Sequence, residues 1–201
     1  MLTLKHGKTN AKYYRITGWN TKKTKSITGY VWHGFVKPGL AKDMLKSQYI
    51  TLNIFPTTKD YANYIKYSPS QGITRQMLKL LPQSKLDLQL TRLAGAKYSY
   101  YYYDGMKPLV IAGSFNAKKY KNIKSFPKVT KYLAQSRKSA TKTRIKKIKS
   151  ILSSYGYSKS KLKSLKNYHV GLMVVDHTQL GSAAMYPDND YSYAFVIAQK
   201  K

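Results

Sequence analysis

This chain of 201 residues has no cysteine and no glutamate. Without cysteine there are no disulfides, thiolate metal sites or cysteine nucleophiles. Without glutamate the whole carboxylate inventory is seven aspartates, Asp43, Asp60, Asp87, Asp104, Asp176, Asp188 and Asp190. Glycosidase-type chemistry needs paired carboxyl groups, and the one close pair, Asp188 and Asp190, lies in PDND, whose simplest reading is a turn. Arginine is scarce as well: Arg15, Arg75, Arg92, Arg137 and Arg144 are the only five. No apolar run approaches the ~20 residues that span a bilayer, and the first 20 residues lack a signal-peptide core, so an exported form implies a fragment missing its signal.

Lysine and aromatics fill the gap. Lys and Arg number 37 against 7 acids, for a formal net charge of +30, and 20 residues are tyrosine. Polyanions are the natural partners of such a charge, and a lysine-dominated set favours diffuse attraction to phosphates over bidentate reading of bases. A hydrophobic content of 42% is enough for a core.

Residues 12–37 hold two β-like bursts, KYYRIT and ITGYVWHGFV, around the lysine-rich NTKKTKS, and read as a hairpin with a charged loop closed by Pro38 and Gly39. Period-2 alternation predicts that Tyr30 and Trp32 fill one sheet face, leaving Trp19 and His33 as exposed contacts flanked by Tyr14 and Phe35. The aromatic strand ending at Trp19, the Lys-rich turn and TGYVWHGFVK together resemble the last strands of bacterial SH3-like modules in surface proteins of lactic acid bacteria, over about residues 10–37. That resemblance implies attachment to a cell-wall polymer; the expected contacts on this chain are Trp19 and His33, flanked by Tyr14 and Phe35, with Lys22, Lys23 and Lys25 of the loop meeting phosphates.

Beyond residue 40 the pattern predicts a strand at 48–55 and a short helix in PTTKDYANYIKY, opened by Thr57 as cap with Asp60 three residues on. Pro69 and Gly72 are expected to close that unit, and SPSQG reads as a loop. Residues 73–95 fit both strand and helix; Ser84 with Asp87 at capping-box spacing, and Gly95 as a stop, favour helix. AKYSYYYYDGMKPLVIAGSF reads as a hairpin turning at Asp104-Gly105, with Tyr98, Tyr100 and Tyr102 on one face. Residues 128–155 read as one basic amphipathic helix with a stripe of Ile145, Ile148, Leu152 and Tyr155, the cations Lys142, Arg144, Lys146, Lys147 and Lys149 elsewhere, and an end at Gly156. YHVGLMVVDH, LGSAAMY and YSYAFVIAQ read as three strands, the long apolar ones central in a sheet.

These elements predict an α+β fold: a β segment at 1–39, then an α+β domain at 45–201 with a mixed or antiparallel sheet backed by helices. SYGYSKSKLKSLKNYHVGLMVVD is similar to the end of cysteine-rich secretory protein-like (CAP) domains. Tyr157 stands where that family has histidine, and its glutamates have no counterpart, so the resemblance implies a fold whose usual site is lost.

Four histidines, His6, His33, His169 and His177, show no metal-ligand spacing, and a strand would hold His169 and His177 ~26 Å apart. No P-loop, GxGxxG or nucleophile elbow occurs. The sequence therefore points to a non-enzymatic protein without cofactor or metal. Its expected place is extracellular and wall-associated, bound to teichoic acid or peptidoglycan. The alternative is a nucleic-acid-binding protein using the basic helix at 140–150 and the Tyr-rich strand. A basic amphipathic helix can also lie on anionic lipid, but its apolar stripe is as easily spent on the core.

Overall fold

The computed structural model describes residues 2–6, 9–19, 26–35, 52, 55–102, 115–176 and 191–201. The chain divides into two compact units, Met1–Gly39 and Leu40–Lys201, and the fold is α+β.

The N-terminal unit is a three-stranded antiparallel meander of β1 (Leu2–His6), β2 (Thr9–Trp19) and β3 (Ser26–Trp32), followed by a 3-10 turn at His33–Phe35. Leu2 and Trp32 both pair with Tyr13, and Arg15 pairs with Tyr30. The hairpin of β2 and β3 is the one expected from the alternation; β1, whose Leu2 and Leu4 alternate with Thr3 and Lys5, precedes it as a third strand.

In the C-terminal unit, helices cover both faces of a five-stranded sheet. In chain order come α1 (Thr58–Tyr67), α2 (Gly72–Leu78), β4 (Lys85–Leu86), α3 (Leu88–Tyr98), β5 (Tyr100–Tyr102) and β6 (Tyr120–Ser125). There follow α4 (Pro127–Gln135), α5 (Thr141–Ser154), α6 (Lys159–Lys163), β7 (His169–Val175) and β8 (Tyr191–Lys200). As expected, the two long apolar strands are central: β8 pairs antiparallel with β7 on one side and with β5 and β6 on the other, while β4 adds a short parallel strand outside β7.

Strand alternation divides the core in two. Val170, Leu172, Val174, Tyr193, Phe195 and Ile197 face one way, into a cluster with Met77 of α2, Leu133 of α4, and Ile148 and Leu152 of α5. Met173, Ala194, Val196 and Ala198 face the other way, toward Phe55, Tyr61 and Tyr64 and toward Leu90, Leu93 and Ala94 of α3. Each fully buried leucine or isoleucine contributes about 1.5–3 kcal/mol. The second face carries small residues because α3 lies close on it: a Cβ at Gly171 would sit 2.6 Å from the Leu90 carbonyl oxygen. This is the physical reason for glycine in the HVG sequence.

Past Val170, β4 no longer covers the edge of β7. Helix side chains take over there: Leu172 N–H donates to Thr91 Oγ1 (3.3 Å), Tyr61 Oη donates to Leu172 O (2.7 Å) and Gln71 Nε2 donates to Val174 O (3.0 Å). This accounts for the burial of Gln71 and Thr91 and satisfies backbone groups that an open edge would expose.

Several sequence expectations need correction. The cap at Thr57 holds, its Oγ1 accepting from Asp60 N–H at 3.1 Å, and α1 does stop at Tyr67, just before Pro69, but Gly72 does not close the unit. Pro69–Gln71 is a 3-10 turn and Gly72 opens α2. The cap of α3 is Asp87 rather than Ser84, because Lys85 and Leu86 are drawn into pairing with β7; Gly95 lies buried inside α3. The helix over 128–155 is two helices, α4 and α5, separated at Ser136–Ala140, where Ser136 Oγ donates to Tyr132 O. Gly156 does terminate the second, with φ of 79°. Tyr98 ends α3 and shares no strand with Tyr100 and Tyr102. In 48–55 only Leu52 and Phe55 are described, neither in a strand. The turn at Asp104-Gly105, the strand at LGSAAMY, PDND and His177 lie outside the described residues.

Candidate functional site

The register of the N-terminal sheet decides which candidate side chains meet. Cross-strand partners share a face, so Tyr13, Trp32, Arg15 and Tyr30 lie on one side, and Tyr14, Ile16 and Val31 on the other. Tyr30 and Trp32 do not fill a core as alternation suggested: they are 55% and 40% exposed, and Phe35 is 80% exposed. A three-stranded sheet has too few strands to bury both of its faces by itself.

At the end of β3 the aromatics form a cluster. The Trp32 ring meets His33 (centroids 5.3 Å, 62°) and Phe35 (5.2 Å, 82°) edge to face. Gly34 makes this possible, since a Cβ there would run into the Trp32 indole. The chain thus turns tightly enough to bring His33 and Phe35 of the 3-10 turn against Trp32 at the end of β3. Exposed Arg15 stands on the same face of β2 as Trp32, and exposed Lys12 on the opposite face.

Of the residues singled out in the sequence, His33 and Phe35 are brought together in this cluster and are exposed. Tyr14 is exposed on the opposite face. Trp19 pairs with Ser26, six register steps from the Tyr13–Trp32 pair, so by strand rise it lies about 20 Å from the cluster along β2. Trp19 and His33 therefore belong to opposite ends of the hairpin and do not form one site. Lys22, Lys23 and Lys25 lie outside the described residues. Tyr30 and Trp32, which alternation assigned to packing, are exposed instead; the signal that could have found this is the shortness of a β segment with too little chain to cover both faces.

The charges sort by residue type. Arg75 Nη1 donates to Ile65 O and Ser68 O, both at 2.7 Å, closing the end of α1. Arg92 Nη2 donates to Phe55 O at 2.8 Å. Arg144, expected on the solvated face of α5, is instead buried in a fork to Asp176: Nη1 to Oδ2 and Nη2 to Oδ1, both 3.0 Å. Tyr193 donates to the same carboxylate at 2.6 Å. Burial alone would push the Arg144 guanidinium down, but the hydrogen bonds and charge of Asp176 outweigh it and raise its pKa above the ordinary arginine value. The Arg137 guanidinium sits 4.0 Å over the Tyr191 ring. Tyr191 lies near-parallel to Tyr100, with ring centroids 6.3 Å apart.

The described aspartates are likewise engaged internally: Asp60 with Thr57, Asp87 with Leu90 N–H, Tyr120 and Lys200, Asp176 with Arg144. Among the described residues Lys200 alone of the lysines meets a carboxylate, and Lys142, Lys146, Lys147 and Lys149 of α5 are exposed. No group of three His, Asp, Glu or Cys that could hold a metal occurs among the described residues, and no helix among them is long and apolar enough to cross a membrane. Tyr157, at the position the CAP resemblance marks, packs edge to face on Phe126 at 5.2 Å with Lys161 over its ring. Compared with protein-family models, curated proteins and solved structures, the chain finds no match in any of the three.

Proposed function

We propose that this chain is a non-enzymatic cell-surface protein that binds phosphate-bearing wall polymers or glycans through the aromatic end of its N-terminal sheet. The observation that carries the reading is the exposed cluster of Trp32, His33 and Phe35, with exposed Tyr30 and Arg15 on the same sheet face as Trp32. Exposed aromatic rings stack on sugar faces, and neighbouring cations attract the phosphates between sugars. The wall assignment rests on the resemblance of residues 10–37 to wall-attaching SH3-like modules. The engagement of Asp60, Asp87 and Asp176 in caps and ion pairs supports a binding role, since it leaves them committed to the scaffold.

Nucleic acid is the second reading, favoured by the exposed lysine face of α5. Against it, Arg75, Arg92 and Arg144 are committed inside the protein, and the Tyr100 ring already has Tyr191 alongside it. The test is retention on Gram-positive cell walls before and after teichoic-acid extraction, with duplex and single-stranded DNA as competitors across a salt series. Retention that is lost on extraction, resists DNA and falls in Trp32→Ala supports the wall reading. Displacement by DNA at low salt, with Trp32→Ala unchanged, overturns it.

A further inference from the structure

The C-terminal unit contains a cleft of about 660 Å³ lined by Thr58, Asp87, Gln89, Lys118, Lys119, Tyr120, Lys200 and Lys201. Its cations come from two adjoining chain segments, the 3-10 turn Ala117–Lys119 leading into β6 and the end of β8, tied together by Lys201 N–H donating to Lys119 O at 3.0 Å. Among the described residues, four lysine ammonium groups therefore border a cavity with one acidic side chain in its lining.

That carboxylate is already used. Asp87 Oδ1 accepts from Leu90 N–H (3.1 Å) and Tyr120 Oη (2.9 Å), and Oδ2 lies 3.1 Å from Lys200 Nζ and 3.4 Å from His169 Nδ1. Lys118, Lys119 and Lys201 are left exposed without a carboxylate partner among the described residues. Leu88 N–H is taken by Thr58 Oγ1 and Leu90 N–H by Asp87, so those two amides of α3 are not offered to the cleft. Any anion there is held by ammonium groups, with the Thr58 hydroxyl and the exposed Gln89 carboxamide within the same walls.

Size and composition narrow the ligand. The volume suits a small molecule rather than a bare ion. Tyr120 is buried, with its hydroxyl bound to Asp87, and offers no face for stacking a base. Three unpaired ammonium groups match the near-double charge of a phosphate monoester better than the single charge of a diester. We propose that this cleft binds a small, hydroxyl-rich phosphate monoester, its phosphate held by Lys118, Lys119 and Lys201 and its hydroxyls by Gln89 and Thr58. The site is separate from the aromatic cluster and stands or falls independently of it.

Calorimetric titration of the full chain at low salt with glycerol 3-phosphate, inorganic phosphate and glycerophosphoglycerol tests this. The expected order is glycerol 3-phosphate tightest and the diester weakest, with affinity falling steeply as salt rises. Lys118→Ser/Lys119→Ser/Lys201→Ser, which leaves the Lys200–Asp87 pair intact, weakens the monoester at least about tenfold, whereas Lys142→Ser/Lys146→Ser/Lys149→Ser, with the same loss of charge, changes it less than about twofold. Unchanged helical circular dichroism checks that both variants are folded. Equal losses in the two variants would mean diffuse attraction and no site. A diester bound as tightly as the monoester, or no heat from the parent protein with any probe, would equally overturn the assignment.

Discussion

Replacing Arg144 by methionine isolates the ion pair that joins α5 to the end of β7. The guanidinium side chain is 4% exposed and the Asp176 side chain 17%. The substitution keeps a flexible apolar chain but removes two charged hydrogen bonds to Asp176 and a third to Leu133 O at 3.2 Å. Asp176 then keeps the Tyr193 hydroxyl and a limited contact with water. Breaking a buried pair from one side costs about 3–5 kcal/mol, and the partial exposure of Asp176 places this case at the lower end, near 3 kcal/mol. For a chain of this size that lowers the thermal midpoint by about 6–12 °C. Both tryptophans, Trp19 and Trp32, lie in the N-terminal unit, so indole fluorescence does not report on this pair; urea unfolding followed by helical circular dichroism does. Adding Asp176→Leu removes the stranded charge, and the double variant should recover about 1–2 kcal/mol relative to Arg144→Met, an interaction energy read from the full mutant cycle. Arg144→Lys restores charge but not the planar fork and should fall between. If Arg144→Met stays within about 0.5 kcal/mol of the parent, the pair is not the connection described here.

Gly171→Ala pushes a methyl group against the Leu90 carbonyl, and should cost about 1–3 kcal/mol in the same denaturation assay, by forcing α3 off the sheet; a neutral result would mean that the close approach is absent. Stability should also decline in acid in two stages. Burial first, then the charge of Lys200, holds His169 below its ordinary value of 6.5 against the opposing pull of Asp87. The unfolded chain therefore takes up that proton first, and stability begins to fall as pH drops below about 6.5. For Asp87, burial pushes upward, but hydrogen bonds from Leu90 N–H, Tyr120 and Lys200 together hold it below its ordinary 3.8, so a second decline begins near pH 4 and continues downward. His169→Gln should abolish the first stage and spare the second in midpoints measured from pH 7.5 to 3; an unchanged profile refutes the assignment. In the N-terminal unit, Gly34→Ala should weaken wall retention several-fold without altering any ring, because it displaces the Trp32 indole; retention equal to the parent would separate binding from the cluster's geometry.

Local signals in the sequence proved reliable where the physics is local. The cap at Thr57, the alternation of β2 against β3 and the apolar runs of β7 and β8 all depend on neighbours within a few residues. What escaped depends on distant partners. Arg144 sits amid lysines in KTRIKK, and nothing nearby distinguishes it; its partner is 32 positions away. Asp87 displaces Ser84 as cap because β7, more than 80 residues later, claims Lys85 and Leu86. Gln71 and Thr91 read as ordinary polar residues, and only the uncovered edge of β7 gives them a task. At the candidate site only His33 and Phe35 were legible as members of the aromatic cluster; Trp19 belongs to the other end of the hairpin, Tyr14 to the other face, and the exposure of Tyr30 and Trp32 was not legible. Alternation says which residues share a face and is silent on whether anything covers it.

The separation of cations by type leaves the outer charge independent of the scaffold. Arg75, Arg92 and Arg144 hold helix ends, a loop carbonyl and a strand terminus in place, whereas nearly every described lysine could be acetylated without breaking an ion pair. Outside the cleft bordered by Lys118, Lys119, Lys200 and Lys201, the exposed lysines therefore add to the surface potential as a sum over many side chains, none of which the fold depends on. That surface potential can be graded by modification or by salt, while the fold beneath keeps the same strength.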